Sequence, residues 1–245
     1  KKNQRENFYA LEEYGEYGAF NPHRNIMSKE ELQNANGNQL LTELHNLRQQ
    51  CPMTVMYFGP SKEKEIITLV NKDYKVKNFT AADNLSDKKY TLGTTSANEV
   101  LIAPYDAKNI YMIQFHNENR DWSPANAPVN ALFNEYFGGG MNTVVLQELR
   151  ETRGLAYNAW AMFGTPGYKG ESDYAMTHII SQNDKMIDCV RTFNNIIDTI
   201  PQSQKAFDLA KQSLLKQLAS SRTTKMGIIN AYLSEQHKGI DYDIN

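Results

Sequence analysis

Met186, Val190, Phe193, Ile197 and Ile200 step along the chain by 4, 3, 4 and 3 residues. That spacing lays a single apolar stripe along a helix and leaves the opposite face polar. Pro201 stops this helix and Ser203 starts another, from which Phe207, Ala210, Leu214 and Leu218 are expected to point inward. Two long one-faced helices need an apolar layer to cover, and the residues before them supply strands. Residues 156–163 and 172–180 read as strands separated by the turn GTPGYKGE. Residues 99–104 (EVLIAP) and 109–116 (NIYMIQFH) read as an earlier antiparallel pair, joined by a turn at Tyr105–Lys108. Between the two pairs lie expected helices at 128–137 and 142–152, with Gly138-Gly139-Gly140 separating them. Gly154 is placed to close the second with a left-handed residue. A last helix is expected at about 225–237. The order ββ-αα-ββ-αα predicts an α+β fold, an antiparallel sheet with helices packed on one face.

The first third of the chain is organised differently. A helix is expected over 3–15, broken by Gly15, Gly18 and Asn21-Pro22. Ser28-Lys29-Glu30-Glu31 reads as a capping box, followed by Leu40, Leu41, Leu44 and Leu47 at helical spacing. Met53–Phe58 (MTVMYF) reads as a strand, and Ser61 can cap a helix carrying Ile66, Ile67, Leu69, Val70 and Tyr74 on one face. Residues 75–96 are polar and read as a linker. The ends also echo each other, FYALEEYGEYGAFN at 8–21 against AYLSEQHKGIDYDIN at 231–245. That echo predicts a repeat of roughly 220 residues that begins again where the sequence stops. Residues 1–74 are then the C-terminal part of a preceding domain, 75–96 the linker, and 97–245 a second domain incomplete at its end.

Composition removes several function classes. A net charge of −2, with basic residues spread along the chain, argues against a nucleic-acid binder. No apolar stretch approaches the ~20 residues needed to span a membrane. The first residues hold no apolar signal core and no initiator Met, so a processed or excised start is expected and no compartment is assigned. Cys51 and Cys189 form neither a zinc knuckle nor a redox pair. Two separate buried thiols are expected, with a lone disulfide between them as the alternative.

The search for chemistry is mostly negative. His23, His45, His116, His178 and His237 lack the partners of H-x-x-E-H or H-E-x-x-H, so no protein-bound catalytic zinc is expected in this chain. There is no G-x-S-x-G elbow. FGGGMNT at 137–143 has no P-loop lysine and follows a helix, so it reads as a tight connection and not a phosphate cradle.

One segment is specific: FNEYFGGGMNTVVLQELRETRGLAYNAWAMF, residues 133–163. It resembles the pitrilysin/insulinase (M16-like) zinc peptidase family through Gly138-Gly139-Gly140, Asn142, Leu149-Arg150-Glu151 and Gly154-Leu155-Ala156-Tyr157. The resemblance covers about 97–240, and 1–60 is similar to the end of a preceding domain of the same type.

The resemblance implies four homologous domains in two halves enclosing a chamber for unfolded peptides. The first half carries the zinc motif. The second has lost it and supplies an Arg and a Tyr across the cleft, which fall on Arg150 and Tyr157. Gly139, Gly140 and Asn142 are then candidate substrate contacts. The expected role is substrate binding and transition-state stabilisation in the non-catalytic half of a zinc metalloendopeptidase. Zinc belongs to the complete enzyme, and this chain alone is expected to be inactive. The implied partners are a peptide substrate and a zinc-binding half, on the same polypeptide or a partner subunit. The alternative is an inactive module that only binds peptides or builds an assembly. A prokaryotic member would suit a periplasmic or cell-envelope setting. Without the resemblance, Arg150 is a cation near a helix C-terminus and Tyr157 a β-prone residue at a strand start. Glu151 and Arg153 read as surface ion-pair formers. Phe163 and the 164–171 turn are candidate borders of a peptide groove along an edge strand.

Overall fold

The computed structural model describes residues 3–50, 54–73 and 90–241. Helices α1 (Gln4–Tyr17), α2 (Lys29–Asn34), α3 (Gly37–Gln50) and α4 (Glu63–Asp73) precede the first strand, β1 (Asn109–Asp121). Helix α5 (Ala127–Phe137) follows. Next comes α6 (Val144–Leu146), which runs on as a π-helical turn over Gln147–Thr152. Strands β2 (Asn158–Gly164) and β3 (Ser172–Gln182) lead into α7 (Met186–Asp198), α8 (Gln204–Ser220) and α9 (Lys225–Lys238). The fold is α+β, with an antiparallel sheet in the order β1-β3-β2.

The sheet register explains the core. Ile110 faces Ser181, Met112 faces Ile179 and Ala159 faces Ile179, so these residues share one face of the pleat. Val145, Leu149, Cys189 and Phe193 bury completely against that face, beside Ile179 at 1% exposure. Helices α5 to α7 therefore stack on one side. Helix α1 reaches the other side, where Phe8 meets Tyr111 edge-on at 5.5 Å and lies 6.1 Å from His178.

Several local signals hold. Ser28 and Glu31 complete the capping box, at 3.1 and 2.7 Å. Ser203 caps α8 through the Ala206 amide. Helices α1 and α9, the echoing ends, both finish on a glycine at positive φ, Gly18 at 75° and Gly239 at 70°. Cys189 is a buried free thiol, while Cys51 lies outside the described residues.

Other expectations change. The strand at 99–104 does not form: β1 pairs with β3, and Val100 and Ile102 stand 82% and 78% exposed. Pro104 has no N–H to give a ladder, and Leu101 lies against α1 instead, 3.5 Å from where a Cβ of Gly15 would be. Of the strand expected at 53–58, Met53 lies outside the described residues and 54–58 has no ladder partner among them. Most of 75–96, like Tyr74, also lies outside them. The helix after Ser28 breaks at Ala35-Asn36, giving α2 and α3. Ser61 does not cap α4; its N–H donates to the Tyr57 hydroxyl at 3.1 Å. On α7 the buried stripe is Met186, Cys189, Phe193 and Ile196, with Val190 packed against it and Ile197 at its exposed margin; Ile200 lies past the helix end and is exposed. A step of 3.6 residues admits either phase, and the small thiol fits closest to the sheet. On α8 only Ala210 buries, and Leu218 is exposed.

Asn134 joins α5 to the edge strand β2. Its amide nitrogen donates to the Phe163 carbonyl at 2.9 Å, and its oxygen accepts from the Phe163 N–H at 2.7 Å. Asn134→Ala leaves both main-chain groups without that partner. It is expected to cost about 2 kcal/mol, read as a lowered urea midpoint with unchanged slope.

Candidate functional site

The site is the turn between α6 and β2. Gly154 adopts φ 58°, the left-handed conformation expected of it. Its N–H donates to the Arg150 carbonyl at 3.0 Å, and the N–H groups of Leu155 and Ala156 both donate to the Leu149 carbonyl, at 2.9 and 3.2 Å. The Tyr157 N–H donates to the Ile180 carbonyl at 2.8 Å. From the other side, Ser181 Oγ and Cys189 Sγ donate to the Leu155 carbonyl at 2.6 and 3.3 Å. Lys185 Nζ donates to the Gly154 carbonyl at 3.1 Å. The main chain of the turn is pinned from both sides.

The side chains it presents are open. Tyr157 is 75% exposed. Arg150 is also exposed; its Nε lies 3.5 Å from Glu151 Oε1, and Arg153 pairs with Glu148 at the same distance. Exposed pairs of this kind contribute little stability, so Glu151 and Arg153 behave as surface ion-pair formers. Arg150 and Tyr157 make no hydrogen bond to each other among the described residues; what the turn fixes is the relation of their backbones.

Gly139, Gly140 and Asn142 sit in the turn that precedes this helical segment, while Arg150 sits near its far end. Asn142 and Gly140 are exposed. The Gly140 carbonyl accepts from Thr143 Oγ1 at 2.7 Å, and the Gly139 N–H donates to the Asn134 carbonyl at 2.7 Å. The site is thus two points on one segment. Phe163 borders no open strand edge at its own peptide, because Asn134 takes both main-chain groups. Its ring lies under the Arg120 guanidinium at 5.6 Å.

Sequence reasoning missed the π-helical turn, Asn134 and the three donors to the 154–155 carbonyls. Ser181 left one trace: it is a polar residue at a core-facing strand position. Among the described residues, no cluster of three or more His, Cys, Asp or Glu could hold a metal ion. No helix among them is long and apolar enough to cross a membrane.

Strongly perturbed groups lie on the far face. Burial, then Glu12 and Glu13, raise the Glu16 carboxyl to about 7. Burial, then Arg5, lower His178, which stacks on Trp160 at 5.2 Å. A carboxyl raised in the folded state contributes stability that is complete below its unfolded value of 4.5 and lost as pH rises through about 7. Glu16→Gln is therefore expected to raise the denaturation midpoint at pH ~8 and leave it unchanged at pH ~4.

The chain belongs to a family defined by sequence: residues 43–214 match the peptidase M16 inactive domain. That match runs from within α3 to within α8. Among solved structures, a protease from Helicobacter pylori superposes with a TM-score of 0.64 at 10% identity, covering 95% of this chain and 57% of that one. A peptidase M16 inactive domain from Pseudomonas fluorescens is 22% identical, with a TM-score of 0.40 over 55% of this chain and 31% of that one. The chain thus spans less than two thirds of either structure. No curated protein matches it.

Proposed function

We propose that this chain is the zinc-free half of a zinc metalloendopeptidase, in which Arg150 and Tyr157 grip a peptide and stabilise its transition state. The observation that carries the reading is an exposed guanidinium and an exposed phenol on a turn whose main chain is hydrogen-bonded from both sides. A phenol O–H donates to the carbonyl oxygen of the scissile bond as negative charge develops there. A guanidinium holds a substrate carbonyl or carboxylate with its planar fork. Gly139, Gly140 and Asn142, in the turn before the helical segment that carries Arg150, would meet the same extended peptide further along.

Zinc would be held by another half, on this polypeptide or a partner subunit, because the five histidines of this sequence form no zinc motif. In this reading 1–74 closes a preceding domain, 75–96 links, and 97–245 is the domain that carries the turn. The exposed apolar side chains of Leu40, Leu41 and Leu44 on α3 and of Val55, Tyr57 and Phe58 support that division, since such residues suit a covering layer. A second reading, a module that only binds peptides or builds an assembly, is favoured by the pairing of Arg150 with Glu151.

Peptide hydrolysis by the complete protein tests the proposal. Tyr157→Phe is expected to lower kcat about 10²-fold, the typical loss of one oxyanion donor. Arg150→Ala is expected to lower kcat/KM. Unchanged kinetics in both variants would overturn the roles, and peptide binding without hydrolysis by the complete protein would favour the second reading. The 245-residue chain alone is expected to bind no stoichiometric zinc, which elemental analysis checks.

A further inference from the structure

We infer that Ser181, Lys185 and Cys189 act as positioning residues, a clamp that sets where the turn offers Arg150 and Tyr157 to a peptide; this rests on the function proposed above. The N–H groups of Gly154, Leu155 and Ala156 are satisfied within the segment, by the carbonyls of Leu149 and Arg150, and that of Tyr157 by Ile180 on β3. The carbonyls of Gly154 and Leu155 are not satisfied within it. They are held from outside the turn, by β3 and the start of α7. The Leu155 carbonyl takes both of its donors from these elements, Ser181 Oγ at 2.6 Å and Cys189 Sγ at 3.3 Å. The Gly154 carbonyl takes Lys185 Nζ at 3.1 Å.

Two features separate this arrangement from ordinary packing. Ser181 is 1% exposed on the helix-covered face of β3, two residues from Ile179 and near fully buried Cys189. An aliphatic residue would pack there without a hydroxyl to satisfy, and the hydroxyl's hydrogen bond is to the turn. Lys185 is only half-buried, so its ammonium could stay in water, yet it reaches the carbonyl of a left-handed glycine. The donors converge on the residues between Arg150 and Tyr157, where a small displacement of the main chain moves both side chains. Misplacement of a catalytic group by about 1 Å can cost 10²-fold in rate.

The test uses hydrolysis by the complete protein, well below its thermal midpoint. Lys185→Met is expected to lower kcat about tenfold with KM unchanged, and Lys185→Arg to restore most of it. In a Tyr157→Phe background, Lys185→Met is expected to change kcat less than about twofold, because the hydroxyl through which the clamp acts on kcat is gone. Ser181→Ala should follow the same pattern, and Lys185, being half-buried, keeps the test open if that variant fails to fold. Independent losses in the double variant, or a lowered thermal midpoint with unchanged kcat, overturn the clamp. If Tyr157→Phe slows hydrolysis and Lys185→Met does not, the clamp fails and the proposed function stands. If Tyr157→Phe has no effect, both fail.

Discussion

Replacing Phe193 with alanine is expected to lower stability by about 3–5 kcal/mol, the largest loss of any single change considered. The ring is fully buried at the centre of α7, within the cluster formed by Val145, Leu149, Ile179 and Cys189. Those residues come from three elements: Val145 and Leu149 from the α6 segment, Ile179 from the central strand and Cys189 from α7 itself. Two of these neighbours are also tied to the turn, Leu149 through its main-chain carbonyl and Cys189 through its thiol, which limits their collapse into the space. For a chain of this size the thermal midpoint should fall by roughly 6–20 °C. Chemical denaturation with an unchanged slope would show that the loss is in the folded state. A loss under about 1 kcal/mol would mean that the core is centred elsewhere.

The second large effect is expected at Gly138. A Cβ there would lie 2.1 Å from the Ala161 carbonyl oxygen and 2.6 Å from its carbonyl carbon and its amide nitrogen. These are backbone atoms of β2, so no side-chain rotation relieves the clash. Ala161 also donates its N–H to the Gly138 carbonyl at 3.4 Å, so the two chains cannot separate without losing that bond. Gly138→Ala is expected to cost about 3 kcal/mol or more, at the upper end of overpacking penalties. Gly140→Ala is the internal control. Its Cβ would meet only Thr143 Cγ2 at 3.9 Å, an ordinary contact, so its thermal midpoint should stay close to that of the parent. Equal behaviour of the two variants would remove the close approach as the reason for the glycine run.

The contrast between these glycines shows what a sequence can disclose. GGG marks a tight connection, but only the folded chain says which glycine is pressed against a strand. Signals that depend on a few neighbours were readable. The Ser28 capping box, the Ser203 cap and the left-handed Gly154 each need partners within four residues. Pairing over long distances was not readable. Residues 99–104 have the composition of a strand, but β1 takes β3 as its partner from more than fifty residues away. The phase of α7 was half readable: the period is in the sequence, while the choice of Cys189 over Ile197 belongs to the sheet beneath it. The π-helical turn around Arg150 had no local signature at all. Arg150 and Tyr157 stood out through the resemblance of 133–163 to a family; their exposure, and the pinned turn between them, came from the fold.

Asn134 has a consequence for how the molecule behaves in company. A strand at the margin of a sheet presents hydrogen-bonding groups that any extended segment can pair with, including the same strand of another molecule. At Phe163 the side-chain amide of Asn134 supplies one donor and one acceptor at 2.9 and 2.7 Å, which is what a neighbouring strand would supply. One side chain therefore stands in for a whole strand and closes this end of the margin against self-association.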